Sequence, residues 1–348
     1  TPRHVGLDPP CYPTLPFAFE LAWLQKHVNE EKQYGSSAVL TADIDLGDYE
    51  WTPIGGQKFK EAYSGSFDGQ GHTISGLHID NGDANYQALF SYIANSTISR
   101  LTVEGTVRGR QYVAGIVGLQ DEESTTDRCV NHVKVIATYG VAGGVVSHHN
   151  AWSATTSNCI NLTTITAPSL AGGVVGSNFI TSHVYHCLGI GEVVANSAHG
   201  ACVGGNGSKD NVSDNYGTHE YAITGGQTLV TEEQLRSGEV AWLLGEAFGQ
   251  NLGTEPDAAV ADTIPVIDGM KVFKVIYTTN STAQADSLYT NGTLPTHDAT
   301  GNWELTWRTA PDGEVITKVT TDSTLYAELK DVSGVKEISN DPRAIVGN

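Results

Sequence analysis

The sequence is short of positive charge, of methionine and of long apolar runs. Its 348 residues hold 19 Lys and Arg against 39 Asp and Glu, a formal net charge of −20. A phosphate backbone is repelled by such a chain, and no basic stripe offsets the repulsion, so nucleic acid is not an expected partner. An anionic membrane surface is disfavoured for the same reason. No stretch approaches the 18 apolar residues that a membrane span requires, so no membrane insertion is expected. Met occurs once and charged residues make up 17%, a profile that fits a helical bundle poorly. The five cysteines, Cys11, Cys129, Cys159, Cys187 and Cys202, form no CxxC pair and are odd in number. That argues against a zinc site and a full disulfide framework, and no metal or cofactor is expected. The chain opens Thr-Pro-Arg-His, with neither Met nor a signal-peptide pattern, as expected of a mature or excised segment.

What is abundant is glycine, with 39 residues, and a repeat. Ala114-Gly115-Ile116-Val117-Gly118 recurs as Ala142-Gly143-Gly144-Val145-Val146 and as Ala171-Gly172-Gly173-Val174-Val175-Gly176. A degraded copy follows at Gly200-Ala201-Cys202-Val203-Gly204-Gly205; the steps are 28, 29 and 29 residues. Ala88-Leu89-Phe90 begins an earlier copy, 26 residues before Ala114. Cys129, Cys159 and Cys187 keep nearly the same phase, and runs such as Val133-Lys134-Val135-Ile136 follow them. Each unit holds two or three short strands joined by Gly, Ser and Asn turns. A unit this small cannot bury its own apolar side, but stacked coils share one core. The cysteines are expected as an inward ladder of small hydrophobes, with a disulfide between rungs as the alternative.

These residues carry a resemblance. Tyr63-Ser-Gly-Ser-Phe67-Asp68-Gly69-Gln-Gly71-His72, followed by the Ala-Gly-Gly-Val-Val-Gly copies, resembles bacterial surface proteins with GLUG repeats. Leu21-Ala-Trp23-Leu-Gln-Lys-His-Val28 and Trp51-Thr-Pro-Ile-Gly55 extend the match over about residues 15 to 220. The resemblance implies an exported, all-β protein built as a right-handed parallel β-helix, secreted or at the cell surface. The architecture is also similar to the β-helical carbohydrate-binding modules attached to xylanases of gut Bacteroidetes.

The expected layout is an N-terminal segment with a capping helix at 1–35, the β-helix at 36–225, a helix and connecting segment at 226–268, a small β-grasp-like domain at 269–332 and a linker tail at 333–348. An open solenoid end exposes core and strand edges, so helices are expected as caps. Phe17 to Val28 has the amphipathic pattern for one. Thr231-Glu232-Glu233-Gln234 starts another, with a possible stop at Gly245. Trp303-Glu-Leu-Thr-Trp307 and Val315 to Ala327 resemble a bacterial surface β-grasp repeat.

A β-helix sets side chains in columns, so a site should repeat at equal offset. Counted from each Ala-Gly marker, positions six and seven hold Gln120 and Asp121, then His148 and His149, then Ser177 and Asn178. Trp152 and Phe179 follow, and Tyr86, Tyr112 and Tyr139 precede the markers. Between the two columns, Gly and Ala would form the floor of a groove. Aromatic faces stack on sugar C–H surfaces while Asn, Gln, Asp and His bond hydroxyls. The alternative is that Gly and Ala only permit tight turns and that the tyrosines shield a sheet face. Asp43, Asp45, Asp68 and His72 read as turn residues rather than catalysts. No acidic pair of the glycosidase kind falls in phase, and no catalytic residue is assigned. The sequence thus predicts a non-catalytic carbohydrate-binding module, with xylan the favoured glycan and a multidomain enzyme or surface protein as parent. An adhesin or stalk is the alternative, and a polysaccharide lyase or glycoside hydrolase the third reading.

Overall fold

The computed structural model describes residues 14–150, 153–179, 181–206, 209–221, 227–253, 260–278, 286–295 and 303–331. The chain divides into two compact units, residues 1–232 with 243–247, and residues 233–242 with 248–348.

The first unit is a parallel β-helix. Each full turn of chain contributes to four faces, as the rung beginning at Thr125 shows. Thr125–Asp127 lies on face 1, Val130–Ala137 on face 2, Val141–Gly143 on face 3 and Val146–His149 on face 4. Thr155–Ser157 then returns to face 1 directly beside Thr125–Asp127. Face 1 collects eight strands and face 2 ten, eight of them along one path, while faces 3 and 4 have four and five. Pairing is parallel throughout these four faces, so each residue stands about 4.8 Å from its counterpart one rung away.

Alternation along these strands makes one core. Val103, Val107, Val133, Val135 and Ile165 from face 2 meet Phe90, Val117, Val146 and Val175 from face 4 there. Cys129, Cys159 and Cys187 sit in it, buried and free, as the inward-ladder expectation requires. Cys11 lies outside the described residues. Polar ladders turn the corners: Asn131 Nδ2 donates to Asn161 Oδ1 at 2.8 Å, and Asn161 Nδ2 to Thr163 O at 2.9 Å.

Helix α1, Ala18–Asn29, buries Leu21, Leu24 and Val28, which join the solenoid core at its first rung. Its opposite side leaves Phe17, Phe19 and Trp23 exposed. The backbone N–H of Phe17 donates to Glu20 Oε2, satisfying a donor at the helix start. Helices α2, Glu232–Arg236, and α3, Glu239–Leu244, follow the last rungs, and Gly245 at φ +87° ends the second in the left-handed region.

In the second unit a four-stranded mixed sheet forms a small β-domain. Phe273–Thr278 pairs antiparallel with Asp286–Thr290 and parallel with Ser323–Asp331, which pairs antiparallel with Trp303–Arg308. Val275, Trp307, Val319 and Leu325 are its core, and Trp307 Nε1 donates to Pro295 O. Among the described residues no helix is long and apolar enough to cross a membrane.

Candidate functional site

Face 4 brings together part of the site expected from sequence and separates the rest. The deciding fact is register. Ala142 pairs with Val113 rather than with Ala114, so counting from Ala114 sets the first rung one residue out of step. The true neighbours are Gln120 with His149 and, one rung on, Asn178 beside His149; Leu119 neighbours His148, which neighbours Ser177. A slip of one residue on a strand exchanges inside for outside.

Gln120, His149 and Asn178 therefore point inward and are not available to a ligand. Gln120 Nε2 donates to Ser124 O and Thr155 O, both at 2.8 Å, and its Oε1 accepts from Thr126 Oγ1. His149 Nδ1 lies 2.6 Å from Asn178 Oδ1 and its Nε2 lies 2.8 Å from Thr156 Oγ1. Asn178 Nδ2 donates to Ser182 O. The three side chains form a ladder that satisfies the backbone and hydroxyls of the turn leading to face 1. Burial pushes the His149 pKa down to about 4.

The expected groove floor is likewise corrected. Ala142 and Ala171 are fully buried. A Cβ on Gly143 would sit 1.9 Å from Val146 O, and one on Gly172 1.9 Å from Val175 O. These residues let the strands of faces 3 and 4 approach backbone to backbone at the bend, so they floor no open trough.

Outside, an aromatic rail crosses the rungs. Tyr86 stacks on Tyr112 with centroids 5.1 Å apart and planes at 15°, and Tyr112 lies against His148 at 5.2 Å. On the other side Tyr86 meets Tyr92 at 6.3 Å, and Phe59 meets Tyr92 edge-on at 6.4 Å. Tyr86 and Tyr112 both occupy left-handed backbone, φ 56° and 59°, which aims successive rings alike. Tyr86, Tyr112 and His148 are half-buried and Phe59 is exposed, while Tyr92 is buried beneath. The Tyr92 hydroxyl donates to Asp121 Oδ2 at 2.6 Å, and Asn150 Nδ2 donates to the same oxygen at 2.9 Å. Burial first, then the Asp121 carboxylate, raises the Tyr92 phenol well above its usual range. Burial pushes His148 down to about 4, against the opposing pull of Asp121, so the imidazole on the rail is neutral at physiological pH. Its Nδ1 has no hydrogen-bond partner.

Tyr139 stands apart from the rail. Its N–H bonds to Arg110 O, and its ring carries the Arg110 guanidinium at 4.9 Å. Phe179 is exposed just past Asn178. Trp152 lies outside the described residues. Sequence reading missed Tyr92, Phe59 and Asn150. Tyr92 was within reach, because it follows Phe90 by two residues as Leu119 follows Val117 and His148 follows Val146.

Asp45 and Asp68 hold turns as expected, Asp45 Oδ1 accepting from Gly47 N and Asp68 Oδ1 from Gln70 N. Asp43 instead links two rungs, its Oδ1 accepting from Thr73 N with His72 Nδ1 3.1 Å away. Among the described residues no group of three or more His, Cys, Asp or Glu is placed to hold a metal ion.

No family model matches the chain. Halomucin of Haloquadratum walsbyi is 29% identical over 153 aligned residues, covering 32% of this chain. The chain spans only 2% of Halomucin's length. The chain is a β-solenoid repeat protein. In fold it resembles the crystal structure of a putative immunoglobulin A1 protease from Bacteroides ovatus, with a TM-score of 0.44 and 14% identity. That likeness covers 73% of this chain and 91% of the other, and it concerns the fold alone. The solved protein bears the name of a protease, which stands against the expectation of a non-enzymatic chain, while the likeness itself assigns this chain no activity.

Proposed function

We propose that this chain binds a polysaccharide along the aromatic rail of face 4, as a secreted or surface-exposed part of a longer protein. The observation that carries the reading is the run of half-buried rings, Tyr86 on Tyr112 on His148, crossing successive rungs beside Asp121 and Asn150. Stacked rings offer flat apolar faces to sugar C–H groups, and the exposed Asn150 amide, held in place by the buried Asp121 carboxylate, offers a partner to hydroxyls. A neutral chain suits a protein of net charge −20, and a xylan-type plant polysaccharide is the first ligand to test. The parent would be a multidomain enzyme or a surface protein.

The test is affinity electrophoresis in gels containing soluble xylan, mixed-linkage glucan or no glycan, comparing wild type with Tyr86→Ala and Tyr112→Ala. Released reducing ends are assayed in parallel. Retardation in one glycan, lost in both variants, supports the reading, and sugar release would add turnover to binding. Equal mobility of wild type in every gel would contradict it.

A second reading, a repeat spacer in a long surface protein, is favoured by one observation: the Halomucin match covers a third of this chain and a small fraction of Halomucin. It predicts no glycan retention at all.

A further inference from the structure

Face 1, away from the aromatic rail, carries a polar depression of about 470 Å³ that spans three to four rungs. Its lining comes from three columns of the repeat. Thr97 and Thr125 stand in one, Ser99, Asp127, Ser157 and Tyr185 in the next, and Arg100, Arg128 and Asn158 in the third. The third column is a corner at which each residue takes left-handed backbone, φ 52° at Arg100, Arg128 and Asn158 alike. That shared conformation points successive side chains the same way, so two guanidinium groups face one depression from adjacent rungs.

Each guanidinium already has one carboxylate beside it. Asp68 accepts from Nε and Nη2 of Arg100, and Asp127 Oδ2 accepts from Arg128 Nη1 at 3.0 Å. The other oxygen of Asp127 accepts from Ser157 Oγ and Asn158 Nδ2, both at 2.7 Å. Both carboxylates are thus occupied in orienting their neighbours. In each pair the cation is the more exposed partner: side-chain exposure is 44% for Arg100 against 26% for Asp68, and 35% for Arg128 against 19% for Asp127. A ligand arriving from solvent meets guanidinium first, with the Tyr185 ring and the Ser and Thr hydroxyls around it. Long-range repulsion from the net negative chain is screened beyond roughly 8 Å at physiological salt, so the local arrangement governs contact.

We infer that this depression is a second carbohydrate subsite, specific for a sugar that carries a carboxylate, a uronate residue of a glycan. A guanidinium fork matches a carboxylate in two-point geometry, which an ammonium does not. The hydroxyls and Tyr185 serve the rest of the ring. The inference shares with the proposed function only the class of ligand, and it uses none of the rail residues.

The experiment measures affinity for polygalacturonate and for glucuronoxylan, each compared with its carboxyl-reduced form, on wild type, Arg100→Gln/Arg128→Gln, Arg100→Lys/Arg128→Lys and Tyr112→Ala. All are first checked for a common far-ultraviolet circular dichroism spectrum and melting temperature. Wild type is expected to prefer at least one carboxylated polymer about tenfold, the glutamine pair to lose that preference, and the lysine pair to recover part of it. Tyr112→Ala should keep the preference whatever it does to neutral xylan, which separates the two sites. Equal affinity of wild type for carboxylated and reduced polymers, or no affinity for either, overturns the inference, as does a preference that survives in the glutamine pair. The neutral xylan arm judges the rail by itself.

Discussion

His148 and His149 are chain neighbours on one strand, yet one belongs to a surface and the other to an interior. His148 lies on the outer side of face 4 against the Tyr112 ring, with an unpartnered Nδ1. His149 is fully buried, with Asn178 and Thr156 taking its two nitrogens. The same contrast runs along both columns, Leu119, His148 and Ser177 outside against Gln120, His149 and Asn178 inside. Residue type does not separate the two columns; the parity of the strand position does. Inner polar residues close hydrogen bonds of the coil, whereas on the outer side Tyr92 and Asp121 bond each other beneath the half-buried His148 and Ser177.

That contrast can be broken most severely where backbones touch. Gly143→Ala places a methyl 1.9 Å from Val146 O, and should cost about 4 kcal/mol or prevent folding, read by urea unfolding. Next in size is the interior ladder. His149→Ala strands Thr156 and Asn178 in a new cavity and should cost about 3 kcal/mol. His149→Gln should cost less than half of that, because Gln120 already fills the same column one rung away.

The interior histidine also sets a pH dependence. Its folded pKa, about 4, lies below its ordinary value of 6.5, so unfolding takes up a proton between those values. Its contribution is fully present above pH 6.5 and is lost as the pH falls toward 4, on the order of 3 kcal/mol in total. Thermal melts across that range should show the decline, and His149→Gln should make it shallower. His148 shifts in the same direction, also to about 4, so it adds to the decline over the same range. Smallest is the effect of Phe179→Ala, an exposed ring beyond the rail, which should change stability by less than about 0.5 kcal/mol.

Much of this architecture was legible in the sequence. The recurrent Ala-Gly-Gly-Val-Val unit announces stacked coils, and Leu21, Leu24 and Val28 announce the cap, because both patterns follow from what has to be buried. The candidate site was legible only in part. Tyr86, Tyr112 and His148 do converge, but Tyr139 joins Arg110 instead, since the 27-residue step from Tyr112 is two short of the 29 that separates Val113 from Ala142. Gln120 was set beside His148 because Ala114 looks like Ala142 in letters while Val113 is its partner in space. In a solenoid such an offset is invisible to composition, and only rung pairing reveals it. The small residues misled for a related reason: glycine and alanine mark both an open floor and a close approach, and the backbone distances decide for the second.

The most direct test of the division between outer and inner columns compares His148→Ala with His149→Ala in two assays, melting temperature and retention by soluble xylan at a temperature where both are folded. His148→Ala is expected to lose retention with a melting temperature within a few degrees of wild type, and His149→Ala to lose several degrees or more while retaining xylan as wild type does. The reverse pattern, retention lost only on replacing His149, would contradict the assignment of the outer rail as the binding face.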